Sequence, residues 1–253
     1  RVKNLELDLG VTLFIRETGA IRLTDSGEKL LRYCLVRTSI EDDVLSEIQS
    51  AYNHNKAEGH TGVVRIAGYS SILRSIIIPA LAPFLRDNPH VQCEFIKAEM
   101  GKLAEMLKTG EADFIILDHP LSRAGIVEDK LGNEEYIVVE SSQYTARTNI
   151  FLDHNPEDTV TESFFQIQSK GLPKEFRRSF MGDIYGILDG VEQGLGRAIV
   201  SKHLVKRNKK IKKVNGFTKY SLAVTLHHYE RPYYPSLLKE VHKQIVIETK
   251  KLL

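Results

Sequence analysis

The chain has 253 residues, enough for one large or two modest domains, and its 42% hydrophobic and 27% charged residues place it among globular proteins rather than disordered or fibrous ones. It holds no run of about 18 apolar residues, and the opening RVKNLELDLG lacks the apolar centre of a secretory signal, so no membrane partner and a cytoplasmic location are expected. A net charge of +2 does not by itself announce a nucleic-acid partner, and Cys34 and Cys93 lack metal-ligand spacing and are expected to be reduced, buried thiols.

Leu5 and Leu9 followed by Gly10 predict a short opening helix, with the glycine supplying a left-handed stop. Extended runs at 13–16 and 20–23 surround Glu17-Thr18-Gly19 and read as a hairpin. This block is too small to hold a core of its own. Asp25, with Glu28 three residues later, has the form of a capping box. Beyond it Ile40, Val44, Ile48, Ala51 and Tyr52 recur at helical spacing, which predicts a helix over 26–57. Such a helix is about 45 Å long and suits a linker or a dimer-forming arm. Glu58-Gly59-His60-Thr61-Gly62 breaks it and reads as a hinge.

From residue 62 strand and helix patterns alternate. A strand is expected at 63–67, a helix at 72–85 with Pro79 as a bend, a strand at 91–96, a helix at 102–108 and a strand at 112–117. That succession implies a parallel sheet with covering helices. It recurs with strands near 164–168 and 178–181, a helix at 184–193 and a strand at 198–200. A strand at 222–226 and a helix at 236–252 complete the chain.

Val2, Leu5, Glu6, Leu9, Gly10, Leu13, Phe14 and Arg16, followed by Leu23, Thr24 and Gly27, form a fixed pattern. It resembles the I-x-x-L-E-x-x-L-G-x-x-L-F-x-R and L-T-x-x-G segments of the LysR-type transcriptional regulators. Further along, Gly62-Val63-Val64-Arg65-Ile66, Pro79-Ala80-Leu81 with Phe84 and Pro89, and Leu107, Gly110 and Asp113 are similar to successive segments of the same family. So are Gly190-Val191, Gly194-Leu195-Gly196 and Leu204-Val205. The resemblance implies an α/β fold: a remnant of a winged helix-turn-helix, a long linker helix, then two Rossmann-like lobes of periplasmic-binding-protein type. The implied division is 1–25 for the end of the recognition helix and the wing, 26–61 for the linker and hinge, 62–140 plus 230–253 for the first lobe, and 141–229 for the second. The groove-reading residues of the family would precede Arg1 and are not carried over; selective DNA binding is not expected of residues 1–253 alone.

The resemblance also implies partners. The intact protein would bind DNA as a dimer or tetramer, contact RNA polymerase and sense a small metabolite between its lobes. Lys3, Arg16 and Arg22 would meet phosphates, although solvated surface charge accounts for them equally well. The effector site would use the turn Gly68-Tyr69-Ser70-Ser71, where a helix start and two hydroxyls favour an anion such as a carboxylate; a serine there can also simply cap the helix. Glu99 and Met100, after the second strand, and Gln168 and Ser169, after the first strand of the second lobe, are the expected opposing walls. Glu99 facing inward would suit an amine, and hence an amino acid. Asp183 is expected to cap the following helix.

The segment 193–229 carries nine Lys and Arg and no acidic residue; its run 206–213 is read as an exposed flexible loop, with an acidic or phosphate-bearing partner as the alternative. Metal binding is not expected, because no Asp, Glu or Cys stands at ligand spacing beside His227-His228. Gly194-Leu195-Gly196 follows a helix rather than a strand, which is the wrong setting for a nucleotide fingerprint. With no catalytic constellation and no cofactor motif, a non-enzymatic regulator is expected. A cytosolic small-molecule-binding module with no DNA role is the alternative.

Overall fold

The computed structural model describes residues 1–17, 20–52, 59–145, 147–230 and 234–253. The hairpin tip at 18–19, the expected helix end at 53–57 and the first hinge residue lie outside the described residues. Tertiary contacts divide the chain into two compact units: Arg1–Tyr69 with Leu81–Asp129 and Leu226–Val246, and Ser70–Ala80 with Lys130–Thr225 and Ile247–Leu253.

The first unit opens with α1 (Val2–Leu9), the strands β1 (Phe14–Glu17) and β2 (Ala20–Leu23), and α2 (Asp25–Tyr52). Gly10 ends α1 at φ 65, and its amide donates back to the helix, as expected of a left-handed cap. The hairpin is antiparallel, with Phe14 opposite Leu23 and Ile15 opposite Arg22. Helix α2 starts differently from the sequence expectation. Its cap is Thr24 rather than Asp25: the Thr24 hydroxyl accepts the Gly27 N–H at 3.0 Å while the Glu28 N–H bonds to the Thr24 carbonyl. Cys34 is exposed on this helix and not buried, which corrects the expectation for that thiol. Cys93 is half-buried, and burial, reinforced by Glu94, pushes its thiol up to about 12, leaving it protonated and unreactive.

The sheet of this unit runs in the order β11-β5-β3-β4, with β3 at Gly62–Gly68, β4 at Val91–Lys97, β5 at Phe114–Leu117 and β11 at Tyr220–Tyr229. β3 pairs in parallel with both β4 and β5, the arrangement that β-α-β crossovers require. Asp113 clamps the sheet: its carboxylate accepts the Arg65 N–H at 2.9 Å and its own N–H donates to the Arg65 carbonyl. Helix α5 (Met100–Thr109) packs Leu103 and Leu107 onto Ala67, Ala112, Ile115 and Leu117.

Between β3 and β4 the chain forms one helical run made of α3 (Ser70–Ile72), a π-helical turn at Leu73–Ile77 and α4 (Ile78–Asp87). The turn closes with the Ile78 N–H on the Leu73 carbonyl, directly before Pro79. Proline has no N–H and crowds the carbonyl four residues back, so the ladder widens there in place of the expected simple bend.

In the second unit β6 (Ile126–Ser141) is paired antiparallel on one side with β9 (Ala198–Ser201) and on the other with β10 (Ile211–Lys213), while β7 (Ile150–Asp153) and β8 (Arg177–Phe180) pair in parallel. The chain passes between units along β6 and β11, whose ranges straddle the division. Helix α7 (Ile184–Glu192) buries Ile184, Ile187 and Val191 against Ile137, Leu152 and Val200, and Asp183 caps it by accepting the Tyr185 and Gly186 N–H groups at 2.9 Å. The strand expected near 164–168 is not formed. Residues 164–166 belong to α6 (Val160–Gln166), and the strand that precedes this helix is β7. A short apolar run fits either period, and here packing of Phe164 and Phe165 with Phe151 selects the helix. Helices α8 (Lys202–Val205) and α9 (Ser236–Leu252) complete the chain.

Candidate functional site

The opening block is built by its motif residues. The Glu6 carboxylate, on α1, accepts the backbone N–H of Leu13 at 2.7 Å and of Phe14 at 3.1 Å, fixing where β1 begins. Leu13 is the one position of the block whose large apolar side chain is fully buried among the described residues. Its carbonyl accepts the Thr24 N–H, and the Thr24 hydroxyl donates to the Thr12 carbonyl at 2.6 Å while accepting from Gly27. Thr24 therefore ties the hairpin base to the start of α2. Gly27 is needed because a Cβ there would enter the Leu13 carbonyl oxygen. Gly27→Ala is expected to lower stability by about 1–3 kcal/mol through overpacking, read as a lowered urea midpoint by circular dichroism. An unchanged midpoint would show that the hairpin base is not held against α2.

Lys3 and Arg22 are exposed, and Arg16 lies opposite Ile21 in the hairpin register. Along α2 the apolar residues Tyr33, Val44, Leu45 and Ile48 are exposed among the described residues. On α1, Val2, Leu5 and Leu9 are exposed as well.

The expected effector turn sits where β3 ends. Ser70 and Ser71 are half-buried and open the helical run. Sequence reasoning missed Arg74, which follows them within about one turn of the same helical run, in its π-helical part. Its guanidinium lies 4.3 Å from the ring centroid of Tyr185, in the first turn of α7. Two hydroxyls and a guanidinium stacked on Tyr185, close together in one helical run, form a set of donors suited to a carboxylate. The spacing was available in the sequence; the partner that holds the arginine was not.

The other expected wall residues fare differently. Glu99 is exposed and stands as the cap residue of α5, without a side-chain capping bond. Met100 opens α5 and packs toward the core of the first unit. Gln168 is buried, and its amide is committed to backbone: it donates to the Phe164 carbonyl at 3.2 Å and the Thr218 carbonyl at 3.1 Å and accepts the Thr218 N–H at 2.7 Å. Ser169 is exposed in the following turn.

The basic run is exposed as expected, and its end is strand rather than loop. Lys212 and Lys213 lie in β10, and Lys210, Lys212 and Lys213 approach Glu192, Glu140 and Glu135 at 3.2, 3.3 and 3.9 Å. Asn208 and Lys210 hold Glu192 below its ordinary carboxylate value, Lys202 and Lys213 do the same for Glu135, and at Glu140 Arg197 and Lys212 outweigh the opposing effect of burial. In the interior, Ser201 and His203 both bond the buried Glu134 carboxylate, His203 at 2.6 Å. The hydroxyl donates to the acid rather than to the imidazole, so the trio is a structural clasp and not an activated nucleophile.

These features define a module of two α/β units preceded by a helix, a hairpin and a long helix. The family described as LysR substrate binding domain matches residues 57–242, and the chain belongs to that family. The uncharacterized HTH-type transcriptional regulator YcgK of Bacillus subtilis is 30% identical over 121 residues, 48% of this chain and 36% of that protein. The HTH-type transcriptional regulator YofA of the same organism is 25% identical over 213 residues, 81% of this chain and 71% of that protein. The chain thus spans little more than a third of the first relative. Among solved structures, ArgP from Mycobacterium tuberculosis aligns with a TM-score of 0.77 at 17% identity, covering 99% of this chain and 86% of that one. Full-length LysG from Corynebacterium glutamicum with bound effector Arg aligns at 0.73 and 14% identity, covering 100% and 87%. At these identities the likeness is one of fold. Homologues of this kind are transcriptional regulators, and no helix among the described residues is long and apolar enough to cross a membrane.

Proposed function

We propose that the chain is the effector-sensing part, with the wing and linker helix, of a cytoplasmic, non-enzymatic LysR-type regulator that binds DNA. The observation that carries this reading is the motif-built junction in which Glu6, Leu13, Thr24 and Gly27 couple a helix and hairpin rigidly to a 28-residue helix leading into the effector domain. A small-molecule-binding module has no use for that junction. Lys3, Arg16 and Arg22 are the phosphate contacts in this reading. The exposed stripe Val44, Leu45 and Ile48 is where α2 meets its equivalent in a second copy. RNA polymerase is the partner through which bound DNA would be read out.

The effector is a carboxylate-bearing metabolite held by Ser70, Ser71 and Arg74. LysG, a neighbour in fold, carries arginine as effector, which favours amino acids as the first compounds to test. Ligand binding shifts DNA-bound geometry only if the ligand prefers one arrangement of the protein. In a thermal-shift screen of amino acids and organic acids, a binder at a hundred times its dissociation constant is expected to stabilise the chain by about 2.7 kcal/mol. Ser71→Ala should weaken that binder by about 1.5–3 kcal/mol, the usual worth of a hydrogen bond to a charged group, and Arg74→Ala should weaken it at least as much. A carboxylate that binds both variants as tightly as the parent would move the site elsewhere.

A further inference from the structure

Sequence spacing around His227-His228 gave no reason to expect a metal, but the tertiary structure brings residues distant in sequence beside His228. Asp129 on β6, His228 on β11 and His242 on α9 converge within the first unit, with one donor atom from each all within 4.8 Å of one another. His242 Nε2 lies 2.8 Å and His228 Nε2 3.6 Å from the same oxygen, Asp129 Oδ2. The two imidazoles meet edge to face at 4.9 Å between centroids, and Phe114 packs against both.

The protonation pattern makes this arrangement informative. His228 is 7% exposed, and its Nδ1 lies 3.1 Å from the Tyr229 carbonyl, an acceptor, so Nδ1 carries the proton. In the neutral ring its Nε2 then carries a lone pair; this atom is buried and has no hydrogen-bond partner among the described residues. That lone pair faces a carboxylate oxygen, which is also an acceptor. A proton or a metal ion between two such acceptors relieves the opposition, and a metal ion would use the lone pair that a neutral ring offers. A backbone carbonyl fixing the other ring nitrogen is the usual outer-shell support of a metal-binding histidine.

We infer that Asp129, His228 and His242 form a binding site for a divalent first-row transition ion, zinc being the natural probe. For metal–ligand bonds of about 2.0–2.1 Å, a tetrahedral set has ligand atoms roughly 3.3–3.4 Å apart. The observed 2.8 and 3.6 Å bracket that value, and the ion would replace the hydrogen bond between His242 and Asp129. Two imidazoles and one carboxylate suit zinc, nickel, copper or iron rather than calcium or magnesium. Asp129 and His242 retain 32% and 28% side-chain exposure, which gives the ion a path in and leaves a fourth position for water or an outside ligand. The bound ion would pin α9 to β6 and β11.

The test uses untagged full chain, stripped with chelator, in calorimetric titration with zinc chloride and in visible absorption with cobalt(II). The expected result is one equivalent bound, with intense tetrahedral cobalt bands and a raised melting temperature. His228→Gln and His242→Gln should each weaken zinc by more than the roughly 10- to 100-fold typical of losing an outer-shell partner. His242 is the half-buried ring, so its variant remains informative if the His228 change disturbs folding. His119→Gln, at the exposed pair with Asp118, should bind zinc like the parent. Absence of stoichiometric binding, or full affinity in both the His228 and the His242 variant, or an equal loss in the His119 variant, would overturn the site. The result is independent of the carboxylate screen, because Ser71 and Arg74 take no part in it.

Discussion

Arg178→Leu is expected to destabilise the chain by about 3–5 kcal/mol, the range for removing one partner of a buried ion pair. Arg178 Nε donates to Asp153 Oδ2 at 2.5 Å, and the side chains are 17% and 4% exposed. The same guanidinium reaches Glu162 at 2.8 Å and the carbonyls of Asn155, Pro156 and Asp158. It therefore ties β8 to the end of β7, the turn after it and the first turn of α6. Leucine leaves the Asp153 carboxylate buried with only Thr161, 2.6 Å away, to satisfy it. Lysine should recover part of the loss, since it restores charge without the planar fork.

The loss should depend on pH, and its sign follows from the carboxyl. Burial raises Asp153 above its ordinary value, against the opposing effects of Thr161 and Arg178. A group raised on folding contributes stability that is present below its unfolded value and is lost as pH rises through its folded value. Removing Arg178 takes away an influence that lowers the group, so the folded value climbs further. The deficit of the variant should be largest in neutral buffer and shrink in acid, as the buried carboxyl takes up a proton. Urea unfolding followed by circular dichroism across that range checks both size and slope. A deficit that stays constant with pH would mean that Asp153 is not the group left unpaired.

Phe164→Ala is expected to cost about 3–5 kcal/mol, as for other buried phenylalanine truncations. The ring is 1% exposed and lies 5.5 Å from Phe165, 5.6 Å from Phe217 and 5.9 Å from Tyr220, in edge-on or tilted contacts. These contacts seat α6 and the 214–220 segment on Phe151 and Ile199. Loss of the ring should lower the urea midpoint and weaken the near-ultraviolet dichroism of the aromatic cluster together. A fall in stability of less than about 1 kcal/mol would show that α6 is not packed as described.

Phe164 also marks where sequence reasoning stops. Phe164 to Gln168 contains no cap, glycine or long period to separate strand from helix, and only the aromatic partners from distant segments decide it. Gln168 was read as a ligand contact from its place after that strand; its amide is bound to Thr218, 50 residues away. The sixteen-residue β6 was not recognised, because its charged positions break any alternation: Glu134 is buried in a clasp with Ser201 and His203, and Glu140 is paired with Arg197 and Lys212. For the same reason the run 206–213 looked like free charge, when Lys210, Lys212 and Lys213 have counter-charges on α7 and β6.

The sequence by itself determined the family, the order of helix, hairpin and long helix, the parallel β-α-β-α-β start of the effector domain, and the span Ser236–Leu252 of the last helix. Those features rest on short-range physics: a glycine in a left-handed cap and apolar residues recurring every turn. Tertiary structure alone decided which polar side chains are spent and which are left to act. Arg74 is held by Tyr185, Gln168 is consumed by Thr218, and Asp129 meets His242 across 113 residues. Hydrogen bonds and charges act over a few ångströms of space, and chain separation sets no bound on which residues come that close.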